Sequence, residues 1–125
     1  MKTTERGYAG HFICAHRCTF TRNTLIEHYK IRVVVSTVGA MLLNDEYETI
    51  GFERYYETMA FHAKFEDPYW EADVSRQIDT PEFSISKIER ESDKLADEMH
   101  ERNVQCIIQA IKEKTLGELE CNSTF

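Results

Sequence analysis

An arginine and two tyrosines stand side by side at Arg54, Tyr55 and Tyr56. A guanidinium donates paired hydrogen bonds to a phosphate and an aromatic ring stacks on a base, so this combination suits a nucleotide. Neighbouring residues of a strand point to opposite faces of a sheet, so one tyrosine can pack in the core while the other faces a pocket. The alternative is an ordinary exposed arginine at the edge of a strand.

A second polar set falls on a predicted C-terminal helix. Asn103 projects from the middle of the apolar arc of this helix, and Arg102 flanks the arc. A buried polar group without a partner costs about 1–3 kcal/mol. Asn103 therefore either pairs with its own copy across a dimer or contacts a ligand at a seam between sheet, helix and partner chain. Phe83 and Arg90, before and within the first predicted turns, are placed at the same seam.

Two charged residues fall on the apolar faces of predicted strands. Strand alternation places Glu57 on the face of Phe61, and Arg76 on the face of Ile78. Burying a charge is costly unless the charge is paired. We therefore predict a cross-strand ion pair between Glu57 and Arg76, with a polar cavity on the sheet as the alternative.

Motifs of metal and nucleophile chemistry are incomplete. Cys14, His16 and Cys18 share a predicted strand face, but residues four apart on a strand lie about 13 Å apart, too far for two thiolates to bind one zinc ion. His100 begins a zinc-protease motif, but Val104 occupies the position of its second histidine. The sequence contains no glycine-rich phosphate loop and no nucleophile elbow. We expect no metal, no cofactor and no enzymatic activity, and keep a nucleotide-cleaving enzyme as an alternative.

The composition predicts one soluble, acidic, intracellular domain. The 125 residues are 42% hydrophobic and 30% charged, and no apolar run reaches the ~20 residues of a membrane span. Residues 1–60 carry seven basic and seven acidic residues, whereas residues 61–125 carry eight and fifteen, so the whole net charge of −7 lies in the second half. This charge disfavours duplex nucleic acid and anionic lipid as partners. The first residues lack the apolar stretch of a secretory signal.

Alternating apolar residues predict strands up to about residue 79. Two hairpins join them, with tips at Asn44-Asp45-Glu46 and Glu66-Asp67-Pro68. Sequential hairpins form an antiparallel sheet with one covered face. The predicted strands are residues 11–22, 30–38, 41–43, 47–50, 55–65 and 69–78.

A helix is predicted over residues 86–116. The capping-box pattern Ser86-Lys87-Ile88-Glu89 indicates its start, and Gly117 stands where a C′ residue belongs. Strands followed by a helix are typical of an α+β fold. We predict one domain over residues 1–125, with an antiparallel sheet at about 8–79 and an oligomerising helical part at about 82–117.

The apolar arc of this helix is wide. In its C-terminal half the arc covers about half of the circumference or more, which one sheet cannot cover. We therefore predict a homodimer or a higher homo-oligomer, with a second helix on the exposed part of the arc. The alternative is that residues 119–125 fold back over it. The arc consists of Ile88, Leu95, Met99, Val104, Cys106, Ile107, Ile108, Ala110 and Ile111.

Five blocks of the sequence resemble a small phage and prophage family, the Thoeris anti-defence sponges, which counteract a bacterial immune system built on TIR enzymes. They span most of the chain, from about residue 7 to residue 105. The blocks are residues 10–18 (GHFICAHRC), 34–39 (VVSTVG), 54–59 (RYYETM), 69–75 (YWEADVS) and 97–101 (DEMHE).

The resemblance implies a non-enzymatic protein that sequesters a cyclic ADP-ribose isomer in the cytoplasm of the infected bacterium and leaves it intact. It also implies a sheet followed by helices, assembly into dimers or larger oligomers, and in some members separate pockets for cyclic oligonucleotides. Phe12, Arg54 and Tyr55 are the ligand-binding candidates in the matching blocks. Phe83, Arg90, Arg102 and Asn103 are added from the seam argument. The alternative is an acidic phage inhibitor that binds a host defence protein directly.

Overall fold

The structure, a computed structural model, describes residues 1–119. It has the expected α+β arrangement, with an antiparallel sheet of seven strands followed by one α-helix within these residues. The strand order is β1-β2-β3-β5-β6, while β4 pairs with β3 and β7 pairs with β5. The elements are β1 (Lys2–Arg6), β2 (Cys18–His28), β3 (Ile31–Leu43), β4 (Glu46–Glu48), β5 (Tyr56–Glu66), β6 (Tyr69–Ile78), β7 (Ser84–Ile85) and α1 (Ser92–Glu113).

Strand β3 is the centre of the fold. Its residues 33–41 are all buried, which explains why this stretch contains the uninterrupted run Val33-Val34-Val35 rather than alternating polar residues. Helix α1 covers one face of the strand. The other face is covered by the N-terminal loop (residues 7–17), whose Phe12 packs in a cluster with Val38.

The main core lies between the sheet and α1. Burying a large aliphatic side chain contributes about 1.5–3 kcal/mol, so this contact holds the helix to the sheet. The core residues are Ile26, Val33, Val35, Ala60, Ile78, Val104, Ile107, Ala110, Ile111 and Leu116.

Both predicted hairpins are confirmed. Asn44 and Asp45 join β3 to β4 with φ of 51° and 63°, the left-handed backbone of a tight hairpin turn. Strands β5 and β6 are joined through Asp67-Pro68 and pair from Glu66↔Tyr69 onward.

The first predicted strand, residues 11–22, is wrong in its first half. The sheet was also predicted to begin at about residue 8, but it already includes residues 2–6. Residues 11–17 form a loop with a 3-10 turn (Ala15–Arg17), and β2 begins at Cys18. Phe12 has φ 73°, in the left-handed region rather than the extended region of a regular strand. The His11 side chain bonds to the sheet instead, and β1 (Lys2–Arg6), which was not predicted, pairs with β2.

The predicted ends of the helix are also wrong. Residues 84–85 pair with β5 as β7, which keeps the chain extended, so α1 begins at Ser92 rather than near the capping-box pattern. The helix ends at Lys114, which is left-handed (φ 61°) while Thr115 N–H donates to Ala110 O at 2.8 Å. Gly117 lies in a following 3-10 turn (Leu116–Leu119).

Much of the wide apolar arc is covered by the same chain. Val104, Ile107, Ala110 and Ile111 are each at most 6% exposed, whereas Leu95 is 45% exposed. Leu116 and Leu119 fold back onto the core, and Asp79 N–H donates to Leu119 O at 2.7 Å. The other residues of the fold-back alternative, 120–125, lie outside the described part. The homo-oligomer stays a prediction.

Within residues 1–119, no helix combines the length and the apolar character that crossing a membrane requires.

Candidate functional site

Arg54 sits in a tight turn that leads into β5. Ile50 N–H donates to Arg54 O at 2.7 Å, and Arg54 N–H donates to Gly51 O at 3.3 Å. The guanidinium folds back over Gly51, where a Cβ atom would lie 2.2 Å from Arg54 Nη2. The glycine therefore creates the space that the guanidinium occupies.

The Arg54 guanidinium lies between a carboxylate and an aromatic ring. Its Nε is 3.0 Å from Glu57 Oε2, and its Cζ is 5.0 Å from the centre of the Phe83 ring. The geometry at Nε is that of an ion pair without an aligned hydrogen bond. The Arg54 side chain is 30% exposed and Phe83 is 38% exposed, so both remain accessible. Among residues 1–119, no hydrogen bond to the terminal nitrogens of Arg54 is present.

Phe83 is held in place from two sides. Its carbonyl accepts the Thr58 N–H at 2.8 Å. On the other side, Asn103 binds both backbone groups of the neighbouring Glu82: its Oδ1 accepts the N–H at 3.3 Å and its Nδ2 donates to the carbonyl at 2.7 Å. Arg102 donates to the Glu82 carboxylate. The helix thereby fixes the residue that precedes the Phe83 ring.

The structure thus connects four of the residues singled out in the sequence: Arg54, Phe83, Arg102 and Asn103. Arg54 and Phe83 are both accessible and lie side by side, whereas Arg102, 54% exposed, binds the Glu82 carboxylate through its Nε. Asn103 is 1% exposed and also donates to Met99 O at 3.0 Å, so its amide is satisfied within the chain. Arg102 is engaged by Glu82. These two residues therefore position Phe83.

The two adjacent tyrosines do not divide between core and pocket as predicted, because both pack with the cluster of Ala40, Ala96 and Met99. Tyr56 is 1% exposed, and its hydroxyl donates to Asp93 Oδ1 at 2.6 Å; burial and this carboxylate raise its pKa. Tyr55 is half-buried at the edge of this cluster, and its N–H donates to Ile85 O at 2.9 Å.

Arg90 lies apart from the Arg54–Phe83 pair. It lines an open cleft of about 350 Å³ together with Tyr47 and Tyr56. Glu89 and Asp93 line the same cleft, so two carboxylates accompany its one cation. The exposed Tyr47 ring was not singled out in the sequence, where nothing distinguishes it from an ordinary hairpin tyrosine.

Phe12 supports the Arg54 turn from below. It packs in one cluster with Val38, Met41 and Ile50, and Ile50 is the residue whose N–H bonds Arg54 O. The Phe12 ring therefore supports the turn by packing against the cluster that contains Ile50.

Next to Phe12, a serine, a histidine and a glutamate form a connected set. His11 Nδ1 is 2.7 Å from Ser36 Oγ, and His11 Nε2 is 3.0 Å from Glu57 Oε1. The order matches that of a hydrolytic triad, but Ser36 is 0% exposed and its Oγ accepts the Gly10 N–H at 3.0 Å. No substrate reaches this hydroxyl in the observed arrangement.

The predicted pair between Glu57 and Arg76 is wrong. Glu57 is bound by His11 and Arg54, whereas Arg76 is exposed in a stretch of β6 that leaves the pairing register between Ala72 and Gln77. The unexpected polar residue on an apolar face was a usable signal for Glu57. His11 could not be found in the same way, because its partners are distant in sequence.

Residues 1–119 contain no group of three or more histidine, cysteine, aspartate or glutamate side chains arranged to hold a metal ion.

Comparisons of this chain with protein-family models, with curated proteins and with solved structures find no match.

Proposed function

We propose that this protein binds and sequesters a cyclic ADP-ribose-type nucleotide and leaves it chemically intact. In the biological setting that the resemblance implies, it is a phage protein in the cytoplasm of an infected bacterium. There it removes the signal made by the TIR enzyme of the Thoeris system. Such a protein must bind the signal more tightly than the host sensor does, so a rigid pocket matters more than catalytic groups.

The observation that carries the proposal is the accessible guanidinium of Arg54 beside the Phe83 ring. The terminal nitrogens of Arg54 have the fork geometry that binds pyrophosphate oxygens, and the exposed part of Phe83 is available to stack adenine. The Arg54 side chain is held before any ligand arrives by Glu57 and the Gly51 turn, and the backbone at Phe83 is held by Thr58 and, through Glu82, by Asn103. Because these groups are already held in the free protein, less conformational entropy is lost on binding.

The cleft lined by Tyr47 and Arg90 is a candidate for a second ligand. Its volume of about 350 Å³ falls at the lower end of small-ligand pockets, about 300–1,000 Å³. Its two carboxylates, Glu89 and Asp93, outnumber the one cation, Arg90, so the cleft suits a neutral or cationic ligand better than the cyclic oligonucleotides that the resemblance implies.

Isothermal titration calorimetry with cyclic ADP-ribose isomers tests the main proposal. We expect Arg54→Ala to weaken binding about 10- to 100-fold, because a charge-assisted hydrogen bond is worth about 1.5–3 kcal/mol. Arg76→Ala, the matched control at an exposed arginine, should leave the affinity unchanged. Mass spectrometry of the nucleotide released by heating should recover it intact. Equal affinity of Arg54→Ala and the wild type would exclude this site, and a cleaved product would indicate an enzyme.

The second candidate function is direct inhibition of a host defence protein by the acidic surface. The charge excess after residue 60 favours it. However, Arg22 binds Asp97 at 2.9 Å and Glu101 at 2.7 Å, which neutralises part of the acidic face of α1. Raising salt from 0.05 to 0.5 M, a range over which the Debye length falls several-fold, should abolish inhibition by an acidic surface. It should only modestly weaken a partly buried nucleotide complex.

A further inference from the structure

Beneath the N-terminal loop, one chain of polar contacts runs from the backbone to Arg54. It starts at Gly10 N–H and passes through Ser36, His11 and Glu57. The His11 and Glu57 side chains are 5% and 7% exposed and Ser36 is 0% exposed, so water does not compete for these contacts. Glu57 is the shared member: its Oε1 is 3.0 Å from His11 Nε2, and its Oε2 is 3.0 Å from Arg54 Nε.

The chemistry of the groups fixes the direction of each hydrogen bond. A carboxylate only accepts, so His11 Nε2 carries a proton and donates it to Glu57. In a neutral imidazole the other nitrogen then accepts, so the Ser36 hydroxyl donates to His11 Nδ1 while it accepts from Gly10 N–H. Every donor in the chain therefore points toward the carboxylate that faces Arg54.

A spare acceptor lies next to this chain. Asn23 is 1% exposed, and its Oδ1 has no hydrogen-bond partner among residues 1–119. Asn23 is the cross-strand neighbour of Ser36, and a Cβ atom at Gly10 would lie 3.1 Å from both Asn23 Nδ2 and Ser36 Cβ. When His11 gains a second proton, its Nδ1–H donates to Ser36 Oγ, and the Ser36 hydroxyl hydrogen then needs another acceptor; the Asn23 amide is the neighbouring polar group across the strand pair.

We infer that His11 is a positioning residue for the nucleotide site, that it acts on Arg54 through Glu57, and that its protonation strengthens the binding of anionic ligands. This inference rests on the proposed function. With neutral His11, the charges of Glu57 and Arg54 cancel; with protonated His11, the three groups carry one net positive charge. Within the described residues, the Cys18 thiol lies near Glu57, and the Cys14 thiol lies near Cys18.

Those thiols do not account for the same pH dependence. Burial raises the pKa of Cys18 to about 11, so this thiol stays neutral wherever a histidine titrates. Cys14 flanks the same 3-10 turn as Cys18. A Cys14→Ser variant, which should keep the wild-type pH profile, separates it from His11.

Calorimetry at pH 7.5 and 5.5 tests the inference. We expect the wild type to bind a cyclic ADP-ribose isomer about fivefold more tightly at pH 5.5, because one added charge attracts the pyrophosphate across a partly screened site. His11→Gln should lose this dependence. His16→Gln, a control at an exposed histidine of the same loop, should keep it. Identical pH profiles for His11→Gln and the wild type would overturn the inference.

NMR of the ligand-free protein tests the same chain without any nucleotide. Imidazole ¹⁵N shifts at pH 8 should show His11 protonated at Nε2, and the Arg54 Nε–H resonance should move on acidification in the wild type but stay fixed in His11→Gln. Two results would contradict the inference: a proton at His11 Nδ1 at pH 8, or the same shift of the Arg54 Nε–H resonance on acidification in the wild type and in His11→Gln. If no nucleotide binds at any pH but the coupling is present, the proposed function fails while the control of Arg54 by His11 stands.

Discussion

His100 should make the stability of the protein depend on pH, because it lies fully buried between the sheet and α1. Its Nδ1 and Nε2 are each 2.7 Å from a threonine hydroxyl, those of Thr37 and Thr24. Thr24 also donates to the Glu5 carboxylate, so His100 Nε2–H donates to Thr24. In the neutral imidazole, Nδ1 accepts from Thr37.

Burial, and then the positive charge of Arg22, lower the pKa of His100 from 6.5 to about 4. Between these values the unfolded chain binds a proton that the folded protein does not, so the free energy of unfolding falls as the pH drops. The contribution is fully present above pH 6.5. Its complete loss would cost about 3 kcal/mol, of which about 2 kcal/mol is lost by pH 5.

Urea unfolding at pH 7.5 and pH 5, followed by circular dichroism, measures this contribution. The wild type should lose about 2 kcal/mol more between the two pH values than His100→Gln does. The absolute stability of the variant is immaterial, because each protein is compared with itself. His16→Gln, at an exposed histidine, should behave like the wild type. Parallel pH curves for His100→Gln and the wild type would refute the reasoning.

Two glycine variants test how close packing shapes the site. Gly39→Ala should lower the free energy of unfolding by about 3 kcal/mol in urea titrations, because the new Cβ would lie 2.4 Å from Tyr56 Cδ1. Gly7→Ala is the control, because its added Cβ meets nothing within 4 Å. If the two variants differ in stability by less than about 0.5 kcal/mol, the packing argument is contradicted. Gly51→Ala should displace the flexible Arg54 guanidinium at little cost in stability and weaken nucleotide binding about tenfold by calorimetry, whereas unchanged affinity would show that the observed position of Arg54 is not needed.

The elements that local sequence signals determine could be predicted. The Asn44-Asp45 turn and the Asp67-Pro68 connection fix their hairpins through backbone preferences of a few neighbouring residues, and both hairpins are confirmed. The α+β class follows from the same local patterns.

The elements that long-range contacts determine could not be predicted. Apolar alternation around Phe12 resembles a strand, but His11 bonds to Ser36 and Glu57, 25 and 46 positions away, and these contacts hold the segment as a loop. The capping-box pattern likewise did not start a helix, because the preceding residues of β7 pair with β5.

The candidate site shows the same division. Arg54 was selected beside Tyr55 and Tyr56, and Phe83 was selected separately by its place before the predicted helix; the structure brings Arg54 Cζ to 5.0 Å from the centre of the Phe83 ring. Asn103 positions Phe83 by binding the backbone of Glu82. The sequence did not predict this contact, because it depends on the path of the chain between β6 and α1.

A crystal structure of the protein with a bound cyclic ADP-ribose isomer tests the central claim most directly. We expect the pyrophosphate on the terminal nitrogens of Arg54 and the adenine against the Phe83 ring. A nucleotide bound elsewhere, with the Arg54–Phe83 pair untouched, would contradict the account.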